Sequence, residues 1–434
     1  MEWIVLLVPL FALVFSGVFV FVAVGVTSFI VYYFLAGEAQ SMMGAAFWSS
    51  IQMYALVAVG CFILMGQIIM KSGISQKVYN SLAPIMERVP GGLLHTNIAI
   101  CALFASIFGA SAATTAVVGS SAFPELKKRN YHFGLTMGTV AAGGTLGIMI
   151  PPSAAFIIYG ALTETSVGAL FAAGILPGIL LAILFSIYVA IKCIQHPEYA
   201  PRSETVEPII PSLKYLIGIW PIVVLIAVVL IPILAGWSTA TEASGIGVIG
   251  SILVGMLYGD LTLKDIVASV RESTHTFCML LLVVCGAMLL AKSAALIGLP
   301  RALSLYIGGL NVSPTVVMLG LIVMYLALGC LFDGISFMVM TLPFVYPIIT
   351  KFGFGGIWFA VVLVVLIEIG QLTPPVGLNL YVIQAITDSD EVSLEDIVRG
   401  VWPFFWILVA FVAVLICFPQ IATFLPQLFG FEIQ

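Results

Sequence analysis

The chain has 434 residues, of which 62% are hydrophobic and only 8% charged, with a formal net charge of −5. At a mean hydropathy of +1.21 there are too few polar residues to clothe a water-facing surface, which places the chain among polytopic helical membrane proteins. Long continuous apolar runs argue against a β-barrel, the lack of a basic cluster argues against nucleic acid, and seven cysteines that fall singly show no zinc or redox spacing.

The start, Met1-Glu2-Trp3, lacks the basic region of a cleaved signal peptide, so the apolar run 3–34 is expected as a retained first span within an N-terminal membrane segment, 1–47. Further long apolar segments follow over 48–70, 132–163, 166–194, 215–234, 243–258, 276–299, 357–386 and 402–426. Residues 97–123 and 316–346 differ: each is two short apolar arms around a small polar tip. The arm Ile98 to Phe108 reaches about 16 Å at ~1.5 Å per residue, half of the roughly 30 Å hydrocarbon core. Its tip reads Gly109-Ala110-Ser111-Ala112-Ala113-Thr114-Thr115, and the later one Gly329-Cys330-Leu331-Phe332-Asp333-Gly334-Ile335-Ser336. Both read as re-entrant hairpins, with second arms that stop near Pro124 and Pro347.

One offset of 223 residues superposes Gly147 on Gly370, Pro151-Pro152 on Pro374-Pro375, Pro124 on Pro347 and Lys128 on Lys351. A double proline inside an apolar helix frees carbonyls and breaks the helix. At membrane depth such a break survives only when buried in protein or lining a cavity, and matched breaks in two halves point to a transporter's central site. The chain therefore reads as all-α, with two repeats expected in inverted topology. The first, 48–194, holds a scaffold span, an arm helix, the hairpin 97–123 and the broken helix 132–163. A linking segment with two spans, 195–275, leads to the second, 276–434, with its scaffold span, arm helix, hairpin 316–346, broken helix 357–386 and C-terminal span. Amphipathic connectors at Gln76–Glu87 and Pro300–Gly309 would brace the hairpins. Lys71, Lys77 and Arg88, and later Lys127, Lys128 and Arg129, mark loops expected on the cytoplasmic side.

At each tip, helix N-termini would favour an anion. Freed carbonyls near Gly147, Pro151, Gly370 and Pro374, with side-chain oxygens of Ser111, Thr114, Thr115, Asp333, Ser336 and Thr373, would make two hard, largely neutral oxygen cages suited to Na⁺. A lone Ser or Thr in a membrane helix ordinarily back-bonds to its own helix; the duplication is what favours a functional reading here. Charges inside apolar runs are Glu242, Lys292, Asp333 and Glu368, each costly and thus a candidate. Asp333, at a tip, is the strongest; Glu242 equally suits helix capping, and Lys292 suits snorkelling to the interface. The acidic stretch Asp388–Asp396 reads as a solvated loop.

These motifs, from Gly109-Ala110-Ser111 through Pro124-Glu125-Leu126-Lys127-Lys128-Arg129 to Ile150-Pro151-Pro152-Ser153, with Thr241-Glu242-Ala243, Phe332-Asp333-Gly334, Glu368-Ile369-Gly370 and Leu372-Thr373-Pro374-Pro375-Val376-Gly377-Leu378-Asn379, resemble the large membrane subunit of tripartite ATP-independent periplasmic (TRAP) transporters along essentially the whole chain. The resemblance implies an elevator-type importer of carboxylate-bearing solutes, such as C4-dicarboxylates or sialic acids, driven by Na⁺ as coupling ion. It implies three partners in or near a bacterial or archaeal cytoplasmic (inner) membrane: a small four-helix membrane subunit, a periplasmic substrate-binding protein and a small organic anion. It places Na⁺ at Gly109, Ser111, Thr115, Gly147 and Pro151, and at Asp333, Gly334, Ser336, Gly370 and Thr373. Substrate contacts would fall to Thr114, Ser153, Gln371 and Asn379. Two departures stand out: the tip reads Gly109-Ala110-Ser111 where many members read Ser-Gly-Ser, so one hydroxyl is missing, and Gln371 replaces a usually apolar residue. No enzyme is expected, for want of a clustered His, Cys or acid set. An anion symporter or antiporter working without a binding protein, coupled to H⁺ or Na⁺, is the alternative.

Overall fold

Short polar side chains set many of the helix starts. Ser166, Thr239, Thr262, Ser313, Asp333 and Ser393 each accept a hydrogen bond from a backbone N–H one turn on, which satisfies a donor that lipid could not. The computed structural model describes residues 2–34, 40–201, 214–309, 312–387 and 392–433, and regular structure among them is all helical. Among the described residues, eight helices are long and apolar enough to cross a membrane.

The helices sort by burial. Gly356–Gln371 is buried along its whole length, and 89% of an 18-residue apolar stretch within Phe133–Thr163 is buried. The corresponding stretch of Ala240–Tyr258 is only 28% buried, and Ile249, Leu253 and Leu257 stand out from it. The first two are interior elements and the last is lipid-facing, a distinction that apolar composition alone cannot make. An outer group comprises Val20–Phe34, Tyr54–Lys71, Trp220–Leu234, Ala240–Tyr258 and Leu263–Leu296, packed on one another. Inside it, Phe133–Met149 packs against Leu93–Phe108, Ser111–Lys128 and Leu394–Cys417, while Gly356–Gln371 packs against Pro314–Gly329 and Gly334–Lys351.

Several expected boundaries move. The run 3–34 is two helices, Glu2–Phe15 and Val20–Phe34, that pack together around Gly17 at φ +78°; a left-handed glycine reverses the chain where hydropathy sees one span. The run 48–70 likewise straddles the end of Gln40–Ile51 and the start of Tyr54–Lys71. Pro124 and Pro347 do not stop their helices, which continue one turn to Lys128 and Lys351. The polar residues 263–275 form the first turns of a 34-residue helix, Leu263–Leu296, because Thr262 and Asp265 make a capping box ahead of them. The boundary expected at 275/276 therefore falls inside a helix. Residues 388–391 of the acidic stretch and 202–213 of the joint lie outside the described residues; Glu395 and Asp396 open the helix Leu394–Cys417.

The arm helices are Ile74–Met86 and Leu299–Gly309. Each is tied to the end of the neighbouring hairpin by a basic residue. Arg129 pairs with Glu87 and, at 2.7 Å, with Glu125; Lys351 Nζ donates to Ser304 O at 2.6 Å.

Candidate functional site

The same succession of elements occurs twice, in one register. Helix starts at Ser111 and Gly334, helix ends at Lys128 and Lys351, and helix starts at Phe133 and Gly356 are each 223 residues apart. In the first set, Leu93–Phe108 and Ser111–Lys128 form a hairpin with Gly109 and Ala110 at its tip. Gly109 holds φ +57°, and a Cβ there would lie 2.9 Å from Pro152 O, so both conformation and space demand glycine. In the second, Pro314–Gly329 and Gly334–Lys351 flank the tip Cys330 to Asp333.

Each tip touches the break that follows it. The helix Phe133–Met149 stops before Pro151-Pro152 and resumes as Ala154–Thr163; Gly356–Gln371 stops before Pro374-Pro375 and resumes as Leu378–Ile386. Both diproline bonds are cis. Ala154 N donates to Gly109 O at 3.3 Å in the first set, and Val376 N to Cys330 O at 3.1 Å in the second. Pro151 and Pro374 offer no N–H to the carbonyls one turn before them, those of Gly147 and Gly370. Glycines at these two positions also let the tips close in. A Cβ on Gly147 would sit 2.6 Å from Thr114 Oγ1 and 2.8 Å from Ala110 O, and one on Gly370 would sit 2.7 Å from Gly329 O.

The two sets then cross. Ala154–Thr163 packs on Gly334–Lys351 of the other set, and Leu378–Ile386 packs on Ser111–Lys128. The crossing carries a buried polar cluster. Ser111 Oγ lies 3.0 Å from Asn379 Oδ1 and 2.7 Å from Asn379 Nδ2, and Asn379 Nδ2 also donates to Ala141 O at 3.1 Å. Ser111 is 2% exposed and Asn379 0%, so this cluster is sealed from solvent.

The remaining candidates are locally satisfied. Thr114 donates to Ala110 O, Thr115 to Ser111 O, Ser153 to Ile148 O and Thr373 to Ile369 O. A hydroxyl that donates to a carbonyl keeps lone pairs for a cation. Asp333 caps its own hairpin arm, accepting from Ser336 N at 3.3 Å and Ser336 Oγ at 3.2 Å, while Ala110 at the matching place provides no side-chain cap. Glu242 is likewise a cap, in a box with Thr239. Lys292 Nζ donates to Ser49 Oγ at 2.6 Å.

Two side chains stand apart. Glu368 is 0% exposed and neither carboxylate oxygen has a hydrogen-bond partner; Gln371, one turn on, is 7% exposed with Oε1 unpartnered. The two breaks also differ in access: Pro151, Pro152 and Ser153 are buried, whereas Pro374 and Pro375 are exposed. What residue reading missed is which backbone groups meet. The closing amides of Ala154 and Val376 and the Ala141 carbonyl carry no side-chain signature, and their partners lie tens to hundreds of residues away.

A family model, the tripartite ATP-independent periplasmic transporter DctM component, matches residues 7–421. The C4-dicarboxylate TRAP transporter large permease protein DctM of Pseudomonas aeruginosa is 31% identical over 380 residues, covering 87% of each chain. The sialic acid TRAP transporter large permease protein SiaM of Vibrio cholerae is 28% identical over 394 residues, covering 90% of this chain and 89% of that one. The isethionate TRAP transporter permease protein DctMQ of Oleidesulfovibrio alaskensis is 28% identical over 382 residues, 87% of this chain but 59% of that longer protein. Among solved structures, the YdaH transporter of Alcanivorax borkumensis shares the fold, with a TM-score of 0.62 at 13% identity over 89% of this chain and 91% of that one.

Proposed function

The chain belongs to the DctM family as the large membrane subunit of a TRAP transporter, a multi-pass membrane protein and not an enzyme, and on that premise we propose that it performs Na⁺-coupled import of a small organic anion. The observation that carries this reading is the paired closure of each hairpin tip on its own broken helix, Gly109 O on Ala154 N and Cys330 O on Val376 N. Each closure gathers hydroxyl lone pairs and glycine-allowed close approach, the ingredients of a Na⁺ cage; Pro151 also denies the Gly147 carbonyl its i+4 donor, whereas the Gly370 carbonyl accepts from Thr373 N at 3.2 Å. A carboxylate is the natural solute, because helix N-termini at the tips offer N–H groups and positive dipole ends. The uncapped start at Ala110–Ser111 suits the anion, and the Asp333 carboxylate gives the second tip its preference for a cation. The exposed Pro374-Pro375 break makes the second set the side open to exchange in this state.

Transport then follows from linkage. Na⁺ holds each tip against its break and completes the anion site, so the ion must bind the closed arrangement more tightly than the open one. C4-dicarboxylates and sialic acids, the solutes in the relatives' names, are the first to try. A periplasmic binding protein would deliver the solute, and a small membrane subunit would flank the outer helices. The longer DctMQ relative leaves room for such a fused subunit. The cytoplasmic membrane is the expected location, with the two sets inverted and moving as an elevator.

A second reading rests on Glu368. A buried ionised carboxylate with neither oxygen paired is expensive, so a proton or cation at Glu368 would relieve it and H⁺ would join or replace Na⁺ in coupling. The test is uptake into proteoliposomes holding this chain with its small subunit and binding protein, under separate inward Na⁺ and H⁺ gradients. Uptake that requires Na⁺ and the binding protein is the expected result. Uptake driven by H⁺ alone would overturn the two-cage reading and move the coupling to Glu368.

A further inference from the structure

The helix Leu263–Leu296 is about 51 Å long at ~1.5 Å per residue, far more than the roughly 30 Å of a hydrocarbon core. Its last twenty residues, from Phe277, carry one charge, Lys292, and match the core; residues 263–276 hold the others. The Lys71–Glu272 ion pair, at 2.6 Å, and the edge-on pair Trp220–Tyr258 mark the same end of the outer group, the pattern of charged and amphipathic residues found at a membrane interface. A groove of ≈ 960 Å³ opens here, lined among others by Gln67, Lys264, Val267, Arg271, Glu272 and His275.

Lys264, Ala268, Arg271 and His275 follow one another at helical spacing along one face. The same face continues into the apolar stretch as Cys278, Met279 and Leu282, all exposed. The acids nearby are already engaged: Asp265 caps Thr262, and Glu272 pairs with Lys71. Lys264, Arg271 and His275 themselves make no hydrogen bond or ion pair among the described residues. One helix face thus presents two unpaired cations, Lys264 and Arg271, and the His275 imidazole at headgroup depth, with bare apolar side chains beneath them.

We propose that this groove binds an anionic phospholipid, its phosphodiester held by Arg271 and His275, with Lys264 adding charge from above, and its acyl chains lying along Met279 and Leu282. A soluble anion would use the basic groups but leave the apolar continuation bare. A lipid uses both. Arg is suited to phosphate by its forked donors, and basic residues near an anionic membrane surface contribute roughly a fivefold change in binding each.

The test is a titration of the purified full chain in mild detergent with fluorescent phosphatidylglycerol, alongside phosphatidylcholine and inorganic phosphate. Phosphatidylglycerol is expected to bind several-fold more tightly than phosphatidylcholine and to resist displacement by phosphate. Arg271→Gln and Lys264→Gln are each expected to weaken it about fivefold, with Arg271→Lys retaining most of the binding and showing that the fold is intact. Equal binding of the two lipids, unchanged binding in Arg271→Gln, or displacement by inorganic phosphate would overturn the proposal. So would cross-linking of a Val267→Cys variant to a protein neighbour in native membranes, which would make the groove a subunit interface. None of these readouts depends on transport, so they stand apart from the fate of the Na⁺ reading.

Discussion

At the scale of single residues, the buried Ser111–Asn379 contact is the most exposed to experiment. Removing either side chain leaves the other without its partner in a sealed site, at a cost of about 1–3 kcal/mol. Ser111→Ala and Asn379→Ala should each lower uptake by about tenfold or more, the equivalent of ~1.4 kcal/mol. The double variant should be little worse than either, giving a coupling of roughly 0.5–3 kcal/mol in a double-mutant cycle; strict additivity would show that the two act separately. Ser111 and Asn379 were both legible in the sequence as candidates, yet their meeting was not, since 268 residues separate them. Asp333 was legible for a reason that proved incomplete: a carboxylate at a hairpin tip is also the ideal N-cap, and it serves as one. Glu368→Gln keeps the shape and removes the charge. If Glu368 carries a proton, the variant should fold normally and lose the pH dependence of uptake that the wild type shows; a retained pH dependence would exonerate it.

At the scale of elements, glycines decide how closely hairpins and broken helices approach. Gly370→Ala would press a methyl group against the Gly329 carbonyl and Cα, at 2.7 and 2.9 Å. Backbone cannot swing aside as a side chain can, so a loss of about 1–3 kcal/mol is expected, together with loss of transport. Gly320→Ala, in the same hairpin arm as Gly329 but with nothing within 4 Å, should be neutral or stabilising by up to ~1 kcal/mol. Thermal unfolding of the two variants side by side measures the difference; equal shifts would contradict the close packing. Element ends were lost where hydropathy was trusted alone. Gly17 splits an apolar run into two helices, whereas the Thr262–Asp265 box builds a helix out of a polar one.

At the scale of the whole molecule, each hairpin is tethered to an arm helix, by Arg129 to Glu87 and by Lys351 to Ser304 O. If the hairpins travel against the arms, these ties set how fast the states exchange. Combined Arg129→Gln and Lys351→Gln should change the maximal uptake rate several-fold while leaving the half-saturating solute concentration near wild type. A change confined to the latter would place the ties in solute binding instead. The second cross-link is Tyr159 Oη, which donates to Gly356 O at 2.7 Å between the two sets; Tyr159→Phe should cost about 1 kcal/mol, read by thermal unfolding.

Membrane class, the duplicated diproline breaks and the two hairpin tips follow from sequence alone, because bilayer depth punishes polar groups and broken helices so heavily that few residue patterns survive there. Which apolar helices face lipid and which are interior was decided only by tertiary packing, since lipid and protein interior are equally apolar to a side chain. So was the crossing of Ala154–Thr163 and Leu378–Ile386 onto each other's hairpins. Helical periodicity records the face a helix buries, but not the distant segment that covers it.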